Sequence, residues 1–139
     1  MASPTHLLFL CVANSARSQI AEGLARHLAP PTWLVQSAGS VPSHVRPQAI
    51  AVMREVGIDI TQQWSKGVEE ITPDSVDCII TLCAEESCPN ALMDKERLHW
   101  PIPDPVGDDD LSAEQQIARF RQARDQISTL LNAFIKSRT

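Results

Sequence analysis

No tyrosine occurs among the 139 residues, and aromatic side chains make up only 4% of them. A deep cleft walled by aromatic rings therefore has little to be built from. Basic residues are in the minority as well: 12 lysines and arginines against 17 acidic residues give a net charge of −5. That excludes nucleic acid as the main partner, and any attraction for an anion has to come from a local site, not from the global field. No apolar run approaches the roughly 18 residues of a membrane span. The opening MASPTHLLFLC lacks the charged and small-residue segments of a secretory signal. The expectation is a cytoplasmic monomer with no membrane partner. His6, His27, His44 and His99 are scattered, none at zinc spacing with a cysteine pair, so no metal centre is expected.

What is present is ordinary for a globular protein: 43% apolar and 21% charged residues. The length suits one domain, 1–139, with its own hydrophobic core. HLLFLCV is a short, nearly continuous apolar run, a buried strand. SQIAEGLARHLA repeats apolar residues at helical spacing until Pro30-Pro31 stops it. WLVQSAG reads as a second strand, PQAIAVMREV as a helix closed by Gly57, and SVDCIITLC as a third strand. Residues 58–75 read as loop with a short helix, and RLHWPI as a fourth strand. The last helix is announced by Ser112 with Gln115 three residues on, a capping box. Its apolar stripe is Ile117, Phe120, Ile127, Leu130, Leu131, Phe134 and Ile135. Strands alternating with helices imply an α/β three-layer sandwich, a central four-stranded parallel sheet flanked by helices.

The chemistry concentrates after the first strand. Cys11 is followed by five small residues, Val12, Ala13, Asn14, Ser15 and Ala16, and then by Arg17 and Ser18. A strand that turns and feeds a helix points several backbone N–H groups into one concavity, beside the positive end of the helix dipole. Such a nest binds a tetrahedral oxyanion. The small side chains let the backbone wrap the anion closely, and Arg17 offers a planar fork for two of its oxygens. The same surroundings stabilise a thiolate, so Cys11 is expected to be an ionised nucleophile aimed at the central atom of the anion.

This arrangement resembles the low-molecular-weight tyrosine phosphatase fold, whose signature is C-x5-R-S between the first strand and the first helix. Within it, CVANSARSQ followed by AEGLA is most similar to the arsenate reductases built on that fold. SAG (37–39), VGIDI (56–60), TLC (81–83), HWPIPDP (99–105) and the C-terminal helix recur in the family's order, so the likeness covers essentially the whole chain.

The resemblance implies arsenate as substrate, with phosphate or sulfate as analogues, and a relay of thiols. Cys11 forms an adduct with arsenate, Cys83 attacks the Cys11 sulfur, and Cys88 then attacks Cys83. Thioredoxin reduces the final Cys83–Cys88 bond. On an intact helix, residues five apart lie roughly 8.6 Å from one another between Cα atoms, beyond the roughly 7 Å a disulfide spans. If residues 84–88 are helical in the reduced chain, closing that bond has to unwind them. Cys78, inside an apolar strand, reads as an inert buried thiol. Family members often carry another cysteine beside the arginine of the loop; here Ala16 stands there, which removes a wrong disulfide partner for Cys11.

The aspartate-proline element of the family implies Asp104 as general acid for the departing oxygen. Ser18 corresponds to the residue that hydrogen-bonds the nucleophile, and Asn14 to the one that holds the loop's shape. No tightly bound cofactor is implied. Some relatives bind potassium near the loop through Asn, Glu, Ser and Asp. Asn14, Glu22 and Ser37 match, but Lys66 stands in the place of the acid, so potassium dependence is expected to be weak or absent. Three other readings compete: a low-molecular-weight phosphatase using Cys11, Arg17, Ser18 and Asp104; a reductase coupled to glutathione and glutaredoxin; and a thiol cluster that sequesters arsenite without turnover.

Overall fold

The computed structural model describes residues 5–11, 14–82, 95–106 and 110–139. Its four strands are β1 (His6–Leu10), β2 (Leu34–Ala38), β3 (Cys78–Thr81) and β4 (Glu96–His99). They form one sheet in the order β2-β1-β3-β4, with every pair parallel. The α-helices are α1 (Arg17–Leu28), α2 (Pro47–Arg54) and α3 (Ala113–Arg138). This is the α/β architecture expected from the alternation of strands and helices.

β1 lies between two neighbours and is covered on both faces, so all five of its residues are buried, as its unbroken apolar run requires. Leu7 and Phe9 face a cluster shared by α1, α2 and α3, including Ile20, Leu24, Val52, Met53, Phe120 and Leu131. Leu8 and Leu10 face the other way. Among the described residues, Ile71 and Val76 cover them, with Val68 packed against the group. Val68 and Ile71 come from the segment expected to be loop with a short helix, and Val76 from just beyond it. That segment forms two 3-10 turns, Val68–Glu70 and Pro73–Ser75.

β4 is an edge strand with only Leu98 half-buried. It runs 96–99, whereas the sequence suggested 97–102. The register continues as isolated bonds, Trp100 N–H to the Thr81 carbonyl (2.8 Å) and Ile102 N–H to the Leu82 carbonyl (3.1 Å). Pro101 and Pro103 have no N–H to complete the ladder.

The helix ends follow local chemistry. Beyond α2, Gly57 takes φ +80°, Gly57 N–H donates to the Arg54 carbonyl and Ile58 N–H to that of Met53, both at 3.0 Å. This is the double bond of a Schellman stop. At the start of α3 the capping box forms in both directions, Gln115 N–H to Ser112 Oγ (3.1 Å) and Ser112 N–H to Gln115 Oε1 (2.9 Å). Phe120, Ile127 and Leu131 are then fully buried, each contributing on the order of 1.5–3 kcal/mol of apolar burial. Gly23 in α1 permits close packing: a Cβ there would stand 2.6 Å from Ile60 Cγ2.

Glu55, after α2, ties that helix to α3. Its carboxylate accepts from Arg121 Nη2 at 2.7 Å and from Arg124 Nη1 at 2.8 Å. These hydrogen bonds, Arg121 first, hold its pKa down to about 2 from the ordinary 4.5. A lowered carboxylate pKa stabilises the fold fully above the unfolded value, and the gain is lost as pH falls through the folded value. The melting-temperature gap between the wild type and Glu55→Gln is therefore expected to be widest near neutral pH. It should close as pH falls from about 4.5 to about 2. Thermal melts across that range check it.

Candidate active site

In an open parallel sheet, ligands sit beyond the carboxyl ends of the strands, where connections leave in opposite directions. Here that place is the end of β1, because β2 lies on one side of it and β3 on the other. Cys11 follows β1 directly, and its N–H donates to the Ala38 carbonyl at 3.2 Å. Leu82 N–H donates to the Leu10 carbonyl at 3.0 Å. A cavity of about 220 Å³ opens at this level, lined by Cys11, Ser15, Ala16, Arg17, Arg46, Asp104 and Val106. A larger cavity of about 550 Å³ lies by the amino ends of β1 and β2, beside His6, Trp33 and Leu34. It contains none of the residues singled out by sequence, so chemistry and not size identifies the site.

The loop into α1 is held from behind. Asn14 is completely buried and takes φ +49°, a left-handed conformation that asparagine tolerates better than most residues. Its Nδ2 donates to Ser18 Oγ (2.8 Å) and Ser37 Oγ (3.0 Å). Its Oδ1 accepts from Lys66 N–H and from Gln19 Nε2, both at 2.9 Å. Every polar position of the amide is thus engaged. Ala16 precedes α1 and supplies no side-chain cap, so no cap competes with an anion for the first-turn N–H groups.

Arg17 is anchored by Nη1 donating to the Ile102 carbonyl at 2.9 Å. Its Nη2 lies 4.0 Å from Asp104 Oδ2, and its Nε is buried without a partner among the described residues. Asp104 is 60% exposed, and its Oδ1 accepts from Val106 N–H at 3.0 Å. The carboxylate thus shapes its own turn and also reaches the cavity.

Behind the loop lies a buried charge cluster. Ser37 Oγ donates to Glu22 Oε1 at 2.5 Å, and Lys66 Nζ approaches that same oxygen at 3.5 Å. Arg26 Nε holds the other Glu22 oxygen at 3.0 Å. The Lys66 ammonium also sits 4.7 Å from the centre of the Trp64 ring.

Cys11, Ser15, Ala16, Arg17 and Asp104 therefore share one cavity, with Asn14 and Ser18 bonded together behind it. Val12, Ala13, Cys83 and Cys88, and with them the unwinding expected over 84–88, lie outside the described residues. Cys78 is buried in β3, and burial, with the Glu96 carboxylate adding to it, pushes its pKa up to about 12. A thiol so held stays protonated at neutral pH. The sequence reading did not pick out Arg46 and Val106. The signal for Arg46 was a basic residue directly before Pro47 at the start of α2, on the loop leaving the carboxyl end of β2.

Residues 6–138 match the family described as low molecular weight phosphotyrosine protein phosphatase. Among curated proteins, the chain is 37% identical over 133 residues to the arsenate reductase of Halalkalibacterium halodurans, covering 94% of this chain and 95% of that one. Among solved structures, it superposes on an arsenate reductase in its phosphate-binding state with a TM-score of 0.86 at 34% identity, over 97% and 99% of the two chains. It also superposes on the thioredoxin-dependent arsenate reductase of Corynebacterium glutamicum with a TM-score of 0.74 at 30% identity, over 99% of this chain and 63% of that one. This chain belongs to the low molecular weight phosphotyrosine protein phosphatase family, and its similar relatives there are arsenate reductases.

Proposed function

We propose that this protein reduces arsenate to arsenite and draws its electrons from thioredoxin through Cys11, Cys83 and Cys88. The observation that carries the reading is the convergence of Cys11, Arg17 and Asp104 on one cavity at the carboxyl end of β1. The Cys11 thiolate attacks arsenic, and one oxygen leaves as water with the proton that Asp104 delivers. The Cys83 thiolate then attacks the Cys11 sulfur. A sulfur–sulfur bond forms, the sulfur–arsenic bond breaks, and its electron pair stays on arsenic, which departs as arsenite. The Cys88 thiolate next attacks Cys83 and frees Cys11 as a thiolate. The thioredoxin dithiol reduces the remaining Cys83–Cys88 bond. The bond from Leu82 to Leu10 supports this order, since those residues directly precede Cys83 and Cys11 in the chain.

A relay that starts from three thiols needs a reducing compartment, so the cytoplasm is the place we assign it. We assign it as a monomer, since Cys11, Arg17 and Asp104 all come from the same chain. The test is arsenate-dependent NADPH oxidation with thioredoxin and thioredoxin reductase. Activity with glutathione and glutaredoxin alone would replace the donor. The cavity also holds the parts a phosphatase uses, so slow hydrolysis of a small aryl phosphate accompanies reduction; hydrolysis without reduction would overturn the proposal.

Potassium is not part of the proposed site. The Glu22 oxygen that would hold it already faces the Lys66 ammonium, and Asn14 Oδ1 already accepts two N–H groups. This set suits an internal cation and not a second one. Exchanging sodium for potassium at equal ionic strength is expected to leave the reduction rate within about twofold, a difference below 0.5 kcal/mol. A large gain would contradict this.

A further inference from the structure

We propose that Arg46 is a second guanidinium ligand of the oxyanion and makes the site select dianions, an inference that rests on the proposed function. Arg46 stands in the N-cap position of α2. Its backbone N–H donates to the Ser15 carbonyl at 2.9 Å, and its own carbonyl accepts from Ala49 N–H at 3.0 Å. Pro47, at the first helical position, fixes the start of the helix. The Cα of Arg46 is therefore pinned to the anion loop on one side and to α2 on the other. From there its side chain lines the same cavity as Cys11, Arg17 and Asp104.

Two further observations point outward to a ligand. Among the described residues, Arg26, Arg121, Arg124 and Arg138 each pair with a carboxylate within the chain, and no such pair involves Arg46. Its Nε is nevertheless buried and, among the described residues, without a hydrogen-bond partner, as is the Nε of Arg17. A buried donor without an acceptor is costly to keep, and here two such donors belong to side chains that meet at one cavity. Among the described residues, the one carboxylate lining it, Asp104, leans to Arg17 at 4.0 Å and is mostly exposed. The acceptor that suits both arginines is an anion from outside.

Charge explains why one arginine is not enough. A dianion above an ionised Cys11 brings three negative charges together. Arg17 supplies one positive charge, and its Nη1 is already committed to the Ile102 carbonyl. A second guanidinium offsets the second charge of the ligand, and its bonds to the anion are charge-assisted. The chain's net charge of −5 offers no help at longer range.

Inorganic phosphate titrated into the reduced full chain tests this, with the wild type, Arg46→Gln and Arg46→Lys compared by calorimetry. Each is measured well above and well below the second ionisation of phosphate. The ratio of variant to wild-type Kd cancels what the Cys11 sulfur contributes at each pH. Arg46→Gln is expected to raise Kd at least about tenfold where phosphate is a dianion and much less where it is a monoanion, with Arg46→Lys recovering part of the loss. If Arg46→Gln does not fold, Arg46→Lys alone carries the test, with a smaller rise confined to the dianion. Unchanged Kd, equal loss at both pH values, or a wild type that does not bind phosphate would overturn the inference. Phosphate binding needs no redox thiol. A chain that binds phosphate in this Arg46-dependent way but does not reduce arsenate would defeat the proposed function and leave this inference standing. A chain that reduces arsenate while Arg46→Gln binds normally would do the reverse.

Discussion

With Cys11 replaced by serine, arsenate-dependent NADPH oxidation through thioredoxin is expected to fall by on the order of 10⁵-fold or more, to the background. A serine hydroxyl is far less acidic than a thiol, and the cup contributes little once its proposed nucleophile is gone. No other described thiol can substitute. Cys78 lies in β3 with its pKa pushed up to about 12, so on the order of one part in 10⁵ is thiolate at neutral pH. The other two cysteines should fail differently. Cys83→Ser stalls at the arsenic adduct and releases no arsenite. Cys88→Ser releases one arsenite per chain and then stops with a Cys11–Cys83 bond. Measuring arsenite released per chain without thioredoxin, beside NADPH oxidation with it, separates the three. Full steady turnover by Cys88→Ser would show that the third thiol is idle and the relay wrong.

Much of this site was legible because its signals are local. A strand, a loop of small residues and a helix lie within 23 positions, from His6 to Leu28. Apolar runs and helical spacing mark both ends of the segment, and the capping box of α3 and the stop at Gly57 were legible for the same reason. What sequence missed is held together by contacts distant along the chain. Gln19 Nε2 donates to the Trp64 carbonyl across 45 positions. Gln63 bonds Gln19 across 44, and Arg46 reaches the cavity from the loop after β2. No periodicity reports such pairings, since each depends on how loops from different strands meet at one edge of the sheet. The fourth strand was misjudged at its far end because an edge strand is defined by its partner, and prolines alone end its ladder.

Asn14 brings local strain and long-range bonding together, and Asn14→Ala is expected to cost about 3–4 kcal/mol of stability. Two causes add. Alanine in the left-handed region costs about 1–2 kcal/mol relative to a residue that tolerates it, and φ at this position is +49°. Losing the amide also strands the Lys66 N–H, whose acceptor is Asn14 Oδ1, and an unsatisfied buried donor costs about 1–3 kcal/mol. The other partners suffer less. Gln19 Nε2 keeps the Asn14 and Trp64 carbonyls, both at 3.0 Å, and Ser37 keeps Glu22. At about 3–4 °C per kcal/mol for a chain of this size, the melting temperature should drop by roughly 10–15 °C. Asn14→Gly separates the two causes. Glycine accepts the backbone angle without strain but restores none of the bonds, so it should recover only about 1–2 kcal/mol of the loss. If Asn14→Gly melts with the wild type, the buried amide holds nothing and the loop is fixed by its backbone angle alone. If both variants melt with the wild type, neither the angle nor the amide holds the loop, and the rear support assigned to Asn14 is wrong.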